Sequence, residues 1–184
     1  FVTRPRQIAA VDFQFNAWAR YANWRRDDLL HEVAARRLKV PRFEARALRT
    51  RHDQTGKPAA RFVLEGGAID VNGAGSVLTT EECLLSEVQA RNPHLSRAQT
   101  EAALRAYLGV EQVLWLASGI AGDDTHGHID DTARFVGAAT VLACVEPRRG
   151  DDNHSRLNAN LRRLAKMRNA RGTRYPDPIR AALD

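Results

Sequence analysis

The sequence predicts a mixed α/β fold assembled from pseudo-symmetric units, each made of a strand pair, a helix and a strand. Three observations point there. Apolar residues switch repeatedly between a period of two and a period of 3.6. Helical segments recur at intervals longer than the usual solenoid repeats. Two corners, "EGG" at Glu65 and "HGH" at His126, stand in similar places, each directly ahead of a strand pair. In an array of equivalent units such corners converge on a common axis, where several repeats can build one site.

The elements follow in order. "IAAVDFQFN" (Ile8–Asn16) alternates, with Ala9, Val11, Phe13 and Phe15 on one face and Ala10, Asp12, Gln14 and Asn16 on the other. That is the pattern of a strand with one buried side. "DDLLHEVAARRL" (Asp27–Leu38) changes period, and Leu29, Leu30, Val33, Ala34 and Leu38 form one helical stripe expected to face the core. Acids lie at its N-terminal end and arginines at its C-terminal end, as the helix macrodipole favours, and Pro41 closes it. "ARFVLEGG" reads as a short strand ending in glycines. "AIDVNGAGSVLTT" reads as a hairpin, with Asn72-Gly73 supplying the positive-φ pair of a tight turn. Ser96, with Gln99 three residues on, is a capping box that opens a helix carrying Ala103, Leu104, Tyr107 and Leu108, and Gly109 ends it. "VLWL" (Val113–Leu116) is a bare apolar run, hence a strand covered on both faces. "RFV" and "TVLACV" give two more strands, and a last helix starts near Asn153 with Leu157, Leu161 and Leu164 at helical spacing.

Composition bounds the possibilities. A chain of 184 residues that is 43% apolar and 27% charged is an ordinary globular domain with a real core. No apolar run is long enough to span a membrane. "FVTRPRQ" at the start has neither an initiator Met nor a charged-then-apolar leader pattern, so the chain is expected to begin inside a longer protein. Cys83 and Cys144 both sit in apolar runs ("EECLL", "VLACV") and are expected to be buried, reduced thiols of a cytoplasmic protein. The net charge of +6 resides entirely in Arg148–Asp184, where ten Arg and Lys face four Asp. That tail lacks the interleaved aromatics of a base-stacking surface, so it reads as a solvated helical face rather than a nucleic-acid site.

The densest chemistry lies in "DDTHGHIDD", Asp123–Asp131. Asp124, His126, His128 and Asp130 fall two residues apart, and in extended conformation all four would point the same way. Imidazole and carboxylate suit Zn²⁺ or Mn²⁺. The same set suits an acid–base histidine flanked by carboxylates that orient a cationic substrate, and a polar connection with idle histidines is the plainest reading. Glu65 ends an apolar strand and is followed by glycines that let a ligand approach closely. With Asp130 from the second corner it could grip one planar cation, and guanidinium matches two carboxylates best. An ordinary salt bridge to one of the chain's arginines is the alternative for Glu65.

"VDFQFNAW", "VLEGGAIDVNGAGSVLTTEECLL", "RNP", "LGVEQVLWL", "DDTHGHIDDTARFV" and "VLACVE" together resemble the agmatine deiminase and bacterial, Porphyromonas-type peptidylarginine deiminase family, within the guanidino-group-modifying superfamily. The resemblance runs from about Phe1 to about Leu164. It implies the pentein fold, a five-bladed α/β propeller, of which residues 1–184 would be a single partial catalytic domain, about half, with 172–184 a divergent tail. It implies that Glu65 and Asp130 hold the substrate guanidinium, that a cysteine thiolate attacks its central carbon, and that His128 protonates the departing ammonia and then activates water. Agmatine, favoured over peptidyl-arginine, would give N-carbamoylputrescine and ammonia on the way to putrescine. No metal or organic cofactor is implied, and homo-oligomer formation is left open.

Two family parts are not matched in this sequence: an aspartate expected just ahead of Phe1, and a nucleophilic cysteine in a Gly-rich segment. Cys83 and Cys144 match structural positions, so this chain is expected to be inactive alone. "FNAWARY" carries Ala19-Arg20 where the family has a glycine pair, and "GTRYPDPIRAALD" departs from the apolar strand expected after Arg171. A metal-dependent hydrolase using Asp124, His126, His128 and Asp130, and a non-catalytic binding module, remain the alternatives.

Overall fold

The computed structural model describes residues 2–4, 7–48, 59–169, 171–176 and 178–182. Their nine strands form three three-stranded sheets, and each sheet repeats one pattern. In the first, β1 (Val2–Arg4) runs antiparallel to β2 (Gln7–Asp12), and α1 (Leu30–Leu38) leads to β3 (Arg42–Glu44), parallel to β2. In the second, β4 (Asp70–Val71) is antiparallel to β5 (Ser76–Thr80), and α2 (Glu81–Leu85) and α3 (Arg97–Leu108) lead to the parallel β6 (Gln112–Leu116). In the third, β7 (Ala133–Gly137) is antiparallel to β8 (Thr140–Val145), and α4 (Asp152–Leu164) leads to the parallel β9 (Ile179–Ala182). The predicted rhythm is therefore present three times. Its third unit is completed by a strand in the tail, where the sequence suggested none.

Local chemistry explains most boundaries. Ser96 caps α3 by accepting from the Gln99 N–H while the Gln99 side chain returns to the Ser96 N–H, and Gly109 ends the helix with φ 68°. Asp151 caps α4 through the Asn153 N–H. Thr80 caps the short α2, which the sequence did not announce, through the Cys83 N–H. The middle sheet is covered on both faces, as the bare run "VLWL" predicts. The two-residue period sends Val77, Val113 and Trp115 into one core with Phe62, Leu64 and Leu104. It sends Leu78, Leu114 and Leu116 into a second core with Ile129, Val141 and Leu164. This sheet lies between the two cores and carries both corners on its connections.

Six expectations need correction. The strand from Ile8 stops at Asp12, and only a single bridge, Gln14 to Val63, continues it. Asp12, placed on the wet face, is 1% exposed because Arg42, Arg61 and His31 surround it; the His31 Nε2 distance is 2.9 Å and the Arg61 distance 2.8 Å. The predicted strand "ARFVLEGG" is extended backbone held by isolated bridges at Arg61 and Val63. The hairpin turn is a three-residue loop, because Asn72 pairs with Ser76 and the positive φ angles fall on Gly73 and Gly75. The Asn72 side chain accepts from the Ala74 and Ser76 N–H groups, which stabilises this longer turn. Cys83 is fully buried as expected, but Cys144 is half-buried. Finally, the apolar stripe of α1 faces outward: Leu29, Leu30, Val33 and Leu38 are all exposed.

After β2 the chain makes a left-handed turn in which Ala17, Trp18 and Ala19 all have positive φ, 49°, 59° and 54°. This is the place where the family resemblance calls for glycine. For L residues each such angle is strained by about 1–2 kcal/mol. Edge-on packing of Trp18 against Phe15 and Tyr21 and the Asn16 side chain on the Ala19 N–H offset the strain. Ala19→Gly is therefore expected to raise unfolding stability by about 1 kcal/mol in a denaturant titration; an unchanged or lower midpoint contradicts a strained turn.

Candidate functional site

Backbone hydrogen bonds bring the two corners together. The Gly67 carbonyl accepts from the Ile129 N–H at 3.1 Å and the Asp130 N–H at 3.3 Å. Gly67 is required at that contact, since a Cβ there would lie 2.4 Å from His128 Nδ1 and 2.8 Å from an Asp130 oxygen. The result joins the three residues singled out from the sequence. His128 Nε2 lies 3.4 Å from Glu65 Oε2, and His128 Nδ1 lies 3.8 Å from Asp130 Oδ1. Glu65 and His128 are buried, whereas Asp130 is exposed and also faces Arg134 at 3.9 Å.

Two further residues shape the site, and the sequence reading gave neither a role. Arg91, the arginine of "RNP", is 2% exposed. Its Nε donates to both Glu65 oxygens at 3.1 and 3.0 Å, Nη1 donates to the Gln89 carbonyl at 3.0 Å, and Nη2 donates to the Thr125 carbonyl. Nη2 also lies 3.4 Å from His128 Nε2. Glu65 thus has an internal guanidinium partner, as the plainer reading allowed, and still presents an oxygen toward His128. A buried arginine near an acid is not a periodic signal, and only the presence of "RNP" among the quoted runs hinted at it.

Asp123 is the second. Its carboxylate accepts from the Thr125 N–H at 2.8 Å, the Thr125 hydroxyl at 2.6 Å, the Gly127 N–H at 3.0 Å and the His128 N–H at 3.2 Å. Burial pushes this carboxyl up, but the hydrogen bonds from the Thr125 side chain and from the Thr125, Gly127 and His128 backbone outweigh it and hold it below the usual carboxylate range. The segment curls around Asp123 with His126 at φ 62° and Gly127 at φ 90°. It is not extended, so the two-residue spacing does not align Asp124, His126, His128 and Asp130. His126 engages Ser86 at 3.0 Å, and Asp124 accepts from the Tyr21 hydroxyl at 3.1 Å.

The predicted metal set is therefore not assembled. Among the described residues, the ligand atoms that gather within 4.8 Å of one another belong to Glu65, Cys83 and His128. The Cys83 thiol opposes a metal ion in that set, since burial pushes it up to about 12 and a proton holds the sulfur strongly. The Cys144 thiol is also raised, by burial and then by Asp131. Neither cysteine has the electropositive, accessible surroundings of a nucleophile.

Two carboxylates thus flank one imidazole on corners of repeated α/β units. The model of the Porphyromonas-type peptidyl-arginine deiminases matches residues 1–177. The chain belongs to that family. The agmatine deiminase of Pseudomonas putida is 40% identical over 97% of this chain, and that of Pseudomonas aeruginosa 42% identical over 90%. The chain spans about half the length of these relatives, 47% and 42% respectively. The solved agmatine deiminase of Enterococcus faecalis superimposes with a TM-score of 0.80 at 36% identity, covering 96% of this chain and 45% of that one. A substrate-bound agmatine deiminase from C. jejuni gives 0.76 at 30% identity, covering 96% and 46%. The fold class read from the sequence is thus a mixed α/β fold like that of these deiminases. Among the described residues no helix is long and apolar enough to cross a membrane.

The depressed Asp123 carboxyl predicts a pH effect of defined sign. Its contribution to stability is complete above the ordinary aspartate range, about 4, and is lost as pH falls through the lower folded value. Asp123→Asn is expected to flatten the acid limb of the stability–pH curve measured by denaturant titration. An acid limb as steep as in the parent chain would contradict the carboxylate's role in the turn.

Proposed function

We propose that this chain contributes the guanidinium-binding half-site and the acid–base histidine of an agmatine deiminase. The observation that carries the proposal is the meeting of Glu65, His128 and Asp130 across two corners. Asp130, the exposed carboxylate, receives the incoming guanidinium in a forked pair of hydrogen bonds. Glu65, held by Arg91, supplies the second acidic wall and faces the His128 ring. His128 protonates the departing ammonia after a thiolate attacks the central carbon, then takes a proton from the hydrolytic water. The thiolate comes from outside this chain's two cysteines, because burial disfavours ionisation of both. No metal is part of the scheme. The identity to agmatine deiminases supports agmatine over peptidyl-arginine, with N-carbamoylputrescine and ammonia as products, and the wider propeller as the setting.

Calorimetric titration with agmatine tests this reading. Binding is expected, and Asp130→Asn, at an exposed position, is expected to weaken it at least about tenfold while leaving the fold intact, the cost of one charge-assisted pair. Equal affinity in the variant would remove Asp130 from the site. In the same preparation agmatine is expected to yield no ammonia above buffer, and turnover by this chain would show that one of its own cysteines is the nucleophile.

A further inference from the structure

We propose that the end of α4 and the hairpin that follows it bind the phosphate backbone of a duplex nucleic acid. Between Asp152 and Asp177 the chain carries seven Arg and Lys and no acid. Two of the seven are engaged elsewhere, since Arg156 pairs with Glu82 at 3.0 Å and Arg163 with Glu81 at 2.9 Å. The other five, Arg162, Lys166, Arg168, Arg171 and Arg174, are exposed. None of them has an ion-pair partner among the described residues.

The backbone gathers these five. Arg162 lies in the last turn of α4, and Lys166 follows in the turn that ends it, its N–H donating to the Arg163 carbonyl at 3.0 Å. The chain then reverses: the Asn169 N–H donates to the Thr173 carbonyl at 2.7 Å and the Tyr175 N–H to the Met167 carbonyl at 3.2 Å. Arg168 and Arg174 are the antiparallel pair between those two bonds. That is the non-hydrogen-bonded position, where paired Cα atoms come closest, about 4.5 Å. Like charges directly opposite destabilise a strand pair, and a bound anion offsets the repulsion. Arg171 stands in the turn, which the Asn169 side chain fixes by accepting from the Arg171 and Thr173 N–H groups. Each paired guanidinium is already anchored by one N–H. Arg168 Nη1 donates to the Gly172 carbonyl at 3.1 Å, and Arg174 Nε to the Ala165 carbonyl at 2.8 Å. Their remaining N–H groups suit phosphate oxygens, which a guanidinium fork matches bidentately.

The surroundings select among phosphate-bearing partners. Lack of interleaved aromatics, which makes this tail a solvated face by sequence, excludes base stacking and leaves phosphate contact open. Tyr175 is 5% exposed, so it offers no stacking platform to a single strand. Leu157 and Leu164 are buried, and Leu161 and Met167 pack on the second core, so these apolar side chains are not free to enter a lipid surface. Five cations without rings or apolar anchors fit a rigid row of phosphates, with no sequence preference. The inference is independent of the deiminase reading.

Fluorescence anisotropy of a labelled mixed-sequence DNA duplex of about 20 base pairs, titrated with the chain from about 50 to about 200 mM salt, decides it. Binding is expected at the lowest salt, with log affinity falling against log salt at a slope of about −4. Arg168→Ala/Arg174→Ala, at exposed positions, should flatten that slope by about 2 with the circular dichroism spectrum unchanged. Arg36→Ala/Arg37→Ala removes the same charge from exposed positions on α1 and should leave the slope as it was. Arg171→Glu, in the turn, should weaken binding as well, so the test stands even if the hairpin double variant fails to fold. No binding to the duplex at the lowest salt, or equal flattening by the two double variants, overturns the proposal. Tighter binding to phosphatidylglycerol vesicles, or to single-stranded DNA of the same length, does so as well.

Discussion

The buried ion pair between Glu65 and Arg91 is the constraint on which the site rests. Taking two charges out of water is costly, and the cost is offset only where geometry is good and the remaining polar atoms are satisfied. Arg91 meets that condition by bonding both Glu65 oxygens and two backbone carbonyls, at Gln89 and Thr125. One guanidinium therefore ties together the end of the segment that leads into Glu65, the loop before α3, and the curled Asp123–Asp131 loop. Neither partner can be lost without leaving an unpaired charge in the core. The carboxylate is consequently fixed in direction before any ligand arrives, which is what electrostatic preorganisation requires.

The repeat architecture delivers the corners to that pair. The middle sheet lies between two apolar cores, and side chains alternate strictly between them. A sheet buried on both faces cannot slip by one residue without inverting its whole pattern. The turn at Glu65–Ala68 leads into the middle sheet and the Asp123–Asp131 loop leads out of it, so register fixes their separation. The left-handed turn at Ala17–Ala19 adds an outer tie, since Tyr21 and Arg20 both reach Asp124 and the Trp18 carbonyl accepts from Gln89. The strained turn thereby holds Asp124, in the Asp123–Asp131 loop.

Much of this was legible in the residues. Capping at Ser96, the stop at Gly109 and the double-sided strand Val113–Leu116 follow from local rules and formed as read. So did the strand-pair, helix, strand rhythm, which brings Glu65 to one nitrogen of the His128 ring while Asp130 lies near the other. What was not legible depends on partners distant in sequence. The burial of Asp12 needs Arg42 and Arg61, and the partner of Glu65 is Arg91, 26 residues away. The outward stripe of α1 defeats a rule that assumes the apolar side of a helix faces its own core. The metal reading of Asp124, His126, His128 and Asp130 assumed extended backbone, and Asp123 instead folds the segment on itself through four hydrogen bonds.

The central claim is that a flat cation sits against the His128 imidazole between two acids. Nuclear magnetic resonance of the isotopically labelled chain addresses it most directly, with agmatine added in one series and putrescine, which keeps the amine but lacks the guanidine, in the other. Agmatine is predicted to shift the His128 ring signals together with the Gly67 and Asp130 amides, while putrescine leaves them in place. Equal shifts from both compounds, or shifts confined to residues remote from His128, would contradict the account.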